Sequence, residues 1–165
     1  MLRFDFLNKD EFAFYAKDIF DILAENMSVI APTGNTYEED YSSWFAGINH
    51  GLKEGLRQII LIYSSEALIG YFQYFANNQL LMMEEIQLKS KWHGKENIFR
   101  ELYGFVFSIL PPDIQFVEAY ANKQNEKSNG ILLRLGLMKV GETKSGRSYH
   151  YKGDFANLLS WYNRR

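Results

Sequence analysis

The stretch "SKWHGKENIFREL", Ser90 to Leu102, decides how this chain is read. It follows an apolar, strand-like run and opens a segment of helical period, in which Ile98, Leu102, Phe105 and Ile109 fall on one stripe. The first N–H groups of a helix lack intrahelical acceptors and lie at the positive end of its dipole, so such a junction is a natural place for an anion. Glycines at the turn would let a backbone approach a phosphate closely. Here Gly94 is followed by Lys95, Glu96, Asn97 and Ile98. The stretch alone reads more readily as an ordinary strand-to-helix turn than as a worn phosphate loop.

Working outward toward the N-terminus, "RQIILIY" and "ALIGYFQYF" are β-rich runs separated by "SSE", and Asn77 to Gln79 makes a second turn before "LLMMEEIQL". Three antiparallel strands in a meander are the simplest reading. Before them, Phe12, Tyr15, Ile19 and Leu23 set a helix from about Asp10 to Met27, and Tyr37, Tyr41, Trp44 and Ile48 a second that stops near Gly51. Glu38 to Asp40 reads as the solvated first turn of that second helix. Leu2 to Phe6 alternates as a short strand.

Toward the C-terminus, Pro111-Pro112 ends the helix and "IQFVEAY" is a short strand. "NEKSNGILLRLGL" is a short helix with Asn125 as N-cap and Gly136 as a left-handed stop. "MKVGE" and "SYHYKGD" form a last pair of strands, and "FANLLSWYNRR" a final helical turn. The order is β-α-α-β-β-β-α-β-α-β-β, an α/β chain with an α+β mixed sheet. No repeat or linker divides it, so residues 1–165 are read as one domain.

Composition bounds the function. The chain has 165 residues, 47% hydrophobic and 16% aromatic, enough for a core without cross-links. It has no cysteine, which removes disulfide frameworks, thiolate metal sites and cysteine nucleophiles, and is compatible with the cytoplasm. A net charge of −2 with mixed signs gives no footprint for nucleic acid. No apolar run is long enough to span a membrane.

This order, together with three local matches, resembles the GNAT acyltransferase superfamily over almost the whole chain. The family's signature is a strand, then V-x-P-x-x-R-G-K-G-I-G, then a helix. In "LKSKWHGKENI", Leu88 takes the valine position, Ser90 the proline and His93 the arginine, while Gly94 and Lys95 match directly. Glu96 and Ile98 stand where two further glycines would be. After the next strand, Asn125, Ser128, Leu132, Gly136 and Leu137 fall in the frame N-x-x-A/S…G-F. Gly70 in "ALIGYF" resembles the I-V-G-F/Y strand, where glycine marks a bulge or close backbone approach.

The resemblance implies a GNAT-like fold and transfer of an acetyl group from acetyl-CoA to an amine, without a metal. It implies that Leu88, Ser90, His93, Gly94, Lys95, Glu96, Asn97 and Ile98 hold the pyrophosphate end of the coenzyme, chiefly through backbone amides. Asn125 and Ser128 flank the pantetheine arm, and a backbone amide near Leu88 stabilises the oxyanion. Acyl transfer to an amine also needs a neutral amine and a proton for the leaving thiolate. By strand alternation Glu84 shares a face with Met82, Ile86 and Leu88, and Glu85 with Met83 and Gln87. A carboxylate on an apolar face is desolvated and its pKa raised, which makes Glu84 the expected general base.

The tyrosine that many family members use as acid is replaced by Leu132, and Tyr103 and Tyr120 match no family position. His50 and His150 have no carboxylate or serine at informative spacing and read as surface or cap residues. Tyr37 and Trp44, on the aromatic stripe, are the candidate contacts to the acceptor, a small-molecule or peptide amine. A homodimer is the assembly kept in view. The rival reading is a non-catalytic domain of the same fold, sensing a CoA ligand or binding a protein; a third is an unrelated α+β binding protein in which both motifs are only caps.

Overall fold

The computed structural model describes residues 1–95 and 97–164. Among these, seven strands form one mixed sheet and five α-helices accompany it. The elements run β1 (Leu2–Phe6), α1 (Phe12–Ile30), α2 (Tyr37–Lys53), β2 (Gln58–Ser64), β3 (Ala67–Asn77), β4 (Leu80–Leu88), α3 (Ile98–Ile109), β5 (Phe116–Asn122), α4 (Glu126–Arg134), β6 (Met138–Glu142), β7 (Ser148–Asp154) and α5 (Phe155–Asn163). The strand order is β1-β2-β3-β4-β5-β7-β6. β1 and β2 are antiparallel, β4 and β5 parallel, and β7 antiparallel to both β5 and β6. The expected element order is present, and the last segment forms a helix of nine residues rather than a single turn.

The chain makes two compact units, Met1–Gln73 with Glu85–Glu96, and Tyr74–Glu84 with Asn97–Arg165. In the first, Phe12, Ala16, Ile19 and Ile22 of α1 and Ile48 and Leu52 of α2 pack with Ile59, Leu61 and Tyr71 of the sheet. Each fully buried aliphatic side chain there contributes roughly 1.5–3 kcal/mol of transfer free energy. The helical period of α1 begins at Asp10, yet the helix begins at Phe12. Asn8 accepts from the Asp10 amide and closes a 3₁₀ turn over Lys9–Glu11 first. Thr36 caps α2 reciprocally with Glu39, which uses the acidic first turn as expected.

In the second unit, β5 alternates. Val117, Ala119 and Ala121 are buried, while Phe116 and Tyr120 are exposed. Asn125 caps α4 by accepting from the Ser128 amide at 3.0 Å, and Gly136 follows it at φ +93°, the left-handed stop. Tyr103 of α3 is fully buried and donates its hydroxyl to the Met83 sulfur.

The β3–β4 hairpin is out of step along its length. Asn78 and Gln79 both have positive φ, a two-residue turn that pairs Asn77 with Leu80. Held in step, that register would set Lys89 against Leu68, but the Lys89 amide donates to the Ile69 carbonyl at 2.8 Å. β4 therefore holds one residue more than β3 over the same length, a β-bulge. The alternation expected from Met82 through to Leu88 does not survive an inserted residue. The extra residue lies between Leu80 and Lys89, so the face of Glu84 is not fixed by that of Leu88.

Candidate functional site

β4 outruns its partner. Its ladder with β5 extends from Leu80↔Phe116 to Met83↔Ala119, after which β4 continues through Glu84–Leu88 and β5 through Tyr120–Asn122. Because the Lys89 amide turns to β3, the backbone N–H and C=O of Leu88 turn to the opposite edge. The Leu88 carbonyl accepts from Asn26 Nδ2 at 2.8 Å and from His93 Nε2 at 2.9 Å. A carbonyl only accepts, so His93 carries its proton on Nε2. His93 is therefore tied back to the strand end rather than pointing from the loop.

Asn26 stands on the buried stripe of α1, where the period calls for an apolar residue. It is 7% exposed and also donates to Gln87 Oε1 at 2.8 Å, while Gln87 Nε2 donates to Glu85. Buried amides persist only when paired, and this chain of three fixes the end of β4 from the helix side. The sequence reading missed Asn26. Its signal was a polar side chain interrupting an apolar stripe. Beside it, the Tyr71 hydroxyl is fully buried with no partner among the described residues, and burial, then the Glu85 charge, pushes its pKa well above the usual value.

Past β4, Trp92, His93 and Lys95 donate their amides to Lys89, Ser90 and Trp92 in consecutive tight turns. The Ser90 hydroxyl donates to Glu25 on α1 at 2.7 Å. Of the loop amides expected to face an anion, Lys95's is thus engaged at 3.3 Å within the turn. Gly94 has φ +72°. Glu96 lies outside the described residues.

α3 opens on Asn97, held at φ +66° with no side-chain cap. Asn is among the few residues besides Gly that adopt this conformation readily. The first intrahelical bond runs from the Glu101 amide to Asn97, leaving the Ile98, Phe99 and Arg100 amides without an intrahelical acceptor. The Arg100 guanidinium is committed to α5, donating to the Tyr162 carbonyl with Trp161 at 5.0 Å.

The other expected contacts have structural partners. Asn125 Oδ1 and the Ser128 amide make the α4 cap. Trp44 packs against Phe12 at 5.6 Å and Phe20 at 5.2 Å, inside the α1–α2 layer. Tyr37 is 38% exposed and donates to Asp21; desolvation and that carboxylate push its pKa up to about 12. Leu132, at the position of the family's tyrosine, is buried.

The second unit holds a pair that the sequence reading dismissed. His150 on β7 meets Glu118 on β5 at 2.6 Å through Nε2, and the Tyr120 ring stacks on the imidazole at 4.5 Å. His150 therefore has a carboxylate partner, supplied by the β5–β7 register that sets Tyr120 opposite His150. Glu118 also borders a hollow of about 670 Å³ with Leu80, Phe116, Met138, Val140 and Lys152. Among the described residues, no group of three or more His, Asp or Glu is placed to hold a metal ion, and no helix is long and apolar enough to cross a membrane.

No family model matches the chain, and no curated protein sequence does. Solved structures do. The PaiA N-acetyltransferase of Thermoplasma acidophilum, in complex with coenzyme A, superposes with a TM-score of 0.70 at 13% identity, covering 93% of this chain and 99% of its own. A spermidine N-acetyltransferase SpeG chimera, from Vibrio cholerae and hSSAT, gives 0.64 at 13% identity, with 99% of each chain covered. The ribosomal-protein-S5-alanine acetyltransferase of Vibrio fischeri gives 0.63 at 16% identity, covering 93% and 92%.

Proposed function

We propose, on the premise that this chain has the fold of the GNAT acetyltransferases, that it moves an acetyl group from acetyl-CoA to a primary amine. The acceptor is a small molecule or a protein N-terminus or lysine, and the enzyme works in the cytoplasm. One observation carries the reading. β4 runs on past Met83, its last residue paired with β5, and the Leu88 backbone groups point away from β3. In this reading the pantetheine arm pairs with the edge of β4, the Leu88 amide faces the developing oxyanion, and the Gly94 amide meets the pyrophosphate. Lys95 adds a cation. Glu84, the first residue of β4 past its last pair with β5, takes the amine proton as the new bond forms.

The buried Leu132 favours a second reading, the same fold binding a CoA ligand without turnover. A thermal-shift titration with acetyl-CoA, coenzyme A and ATP tests binding first. A ligand at a hundredfold its dissociation constant adds about 2.7 kcal/mol, which for a chain of this length raises Tm by about 5–10 °C. Selective stabilisation by the two coenzyme forms is expected; no shift with either sinks both readings. Turnover against amines then separates enzyme from sensor.

Glu96 is the residue of the loop least suited to an anion. A carboxylate about 6 Å from a phosphate charge costs on the order of 3 kcal/mol at an effective dielectric of about 20. Turned into salt water it costs well under about 1 kcal/mol. Glu96→Gly is expected to keep coenzyme affinity or tighten it by up to about tenfold, measured by calorimetric titration. Much weaker binding of the variant would give Glu96 a positive role and contradict this account of the loop.

A further inference from the structure

Transfer to an amine poses a problem that the coenzyme site does not solve. Near neutral pH a primary amine of pKa about 10.4 arrives as an ammonium ion, with no lone pair to attack a thioester. One N–H bond must break before the C–N bond forms. The group that takes this proton needs a lone pair, a carboxylate partner for its protonated form and a way to return the proton to water.

His150 meets these three requirements. Its Nε2 lies 2.6 Å from Glu118 Oε1. With Glu118 ionised, Nε2 carries the proton and donates it, so Nδ1 holds the lone pair. Protonation at Nδ1 then makes an imidazolium already paired with a carboxylate. The stacked Tyr120 ring, tilted by 16° from the imidazole plane, restricts ring rotation. The two side chains are 20% and 19% exposed, sheltered but open to water.

Around His150, β5 contributes Glu118 and Tyr120, the position opposite His150 on β6 is Gly141, and Lys152 lies two residues along β7, across from Glu118. The position is also informative. Tyr120 and Glu84 are the next residues on β5 and β4 after the last pair, Met83↔Ala119, and His150 is the partner of Tyr120. Glu84 and His150 thus lie on strands separated only by β5, at the point where its pairing with β4 ends.

We propose that His150 is a catalytic residue of this chain that neutralises the incoming ammonium, with Glu118 as its positioning residue. The inference rests on the transferase reading given above. The ammonium N–H bond breaks, its proton goes to His150 Nδ1, and the electron pair stays on nitrogen for attack on the thioester carbon. His150 then returns the proton to water. The hollow bordered by Glu118 and walled by Leu80, Phe116, Met138 and Val140 gives an amine with an apolar body a route to the pair.

The test measures kcat/KM from pH 6 to 10 at saturating acetyl-CoA, with spermidine, 2-phenylethylamine and an alanine-terminated peptide as probes. Coenzyme affinity is measured separately by calorimetry. His150→Gln is expected to lose roughly 10²- to 10³-fold near pH 7. The loss should shrink to a few-fold near pH 10, where a sizeable share of the amine is already neutral, with coenzyme affinity unchanged. Glu118→Gln keeps an acceptor for Nε2–H, so it should lose much less near pH 7 than His150→Gln does.

A wild-type rate in His150→Gln overturns the proposal while leaving the transferase reading intact. So does an equal loss at every pH, the mark of a structural role. Acetyl-CoA binding by the wild type without acetylation of any probe overturns the proposal and the transferase reading together. Failure to bind the coenzyme at all removes the site reading itself.

Discussion

Glu84→Gln is expected to lower turnover by roughly 10²- to 10⁴-fold, the range for loss of a general base, and to leave acetyl-CoA affinity within about twofold of wild type. Glutamine keeps the size of the side chain and removes its proton affinity, so the effect isolates the chemistry. Unlike the loss in His150→Gln, this one should persist at high pH, because a group acting during bond formation is needed even when the amine arrives neutral. Glu85→Gln is the control. Its carboxylate accepts from Gln87 in the buried chain that begins at Asn26, so its replacement should act on the end of β4 and show in Tm as well as in rate. A rate unchanged in Glu84→Gln, or an equal loss in Glu85→Gln without a change in stability, would move the proton acceptor from Glu84.

Gly70→Ala should be the most damaging of the small substitutions. A methyl group there would stand 2.5 Å from the Gln87 carbonyl oxygen and 2.6 Å from Leu88 Cδ2. The first contact is with backbone, which yields only if β3 and β4 separate. Overpacking of this kind costs about 1–3 kcal/mol, equivalent to a fall in Tm of about 2–12 °C for a chain of this length. The strain falls on the residues that aim the Leu88 backbone, so coenzyme affinity should fall too. Gly47→Ala is the contrast, since the added carbon meets nothing within 4 Å on α2 and helix propensity favours alanine. Thermal melts of both variants decide the matter; a Gly70→Ala protein as stable as wild type would mean that the close approach of these strands is not needed.

Much of this molecule is written locally. The order of strands and helices follows from hydrophobic period and from turn and cap residues. Asn125 caps α4 and Gly136 stops it, because a side-chain oxygen before a helix and a left-handed residue after it act over a few neighbours. The same holds for Thr36 and the acidic first turn of α2. Gly70 announced a close approach because a bare Cα in an apolar strand has few other uses.

What the sequence could not determine lies across the chain. The bulge in β4 is invisible to alternation, since it exists only as a mismatch between two strands, and it removes the face argument for Glu84. Asn97 takes the left-handed position before α3, so the loss of glycines from the loop did not forbid the turn. Asn26 is 61 residues from Gln87, and Glu118 is 32 from His150. Neither spacing carries a signal, because a hydrogen bond reaches about 3 Å and depends on where the fold brings its two ends. Short-range conformational preference set the elements of this protein; only the pairing of distant strands decided which polar groups meet.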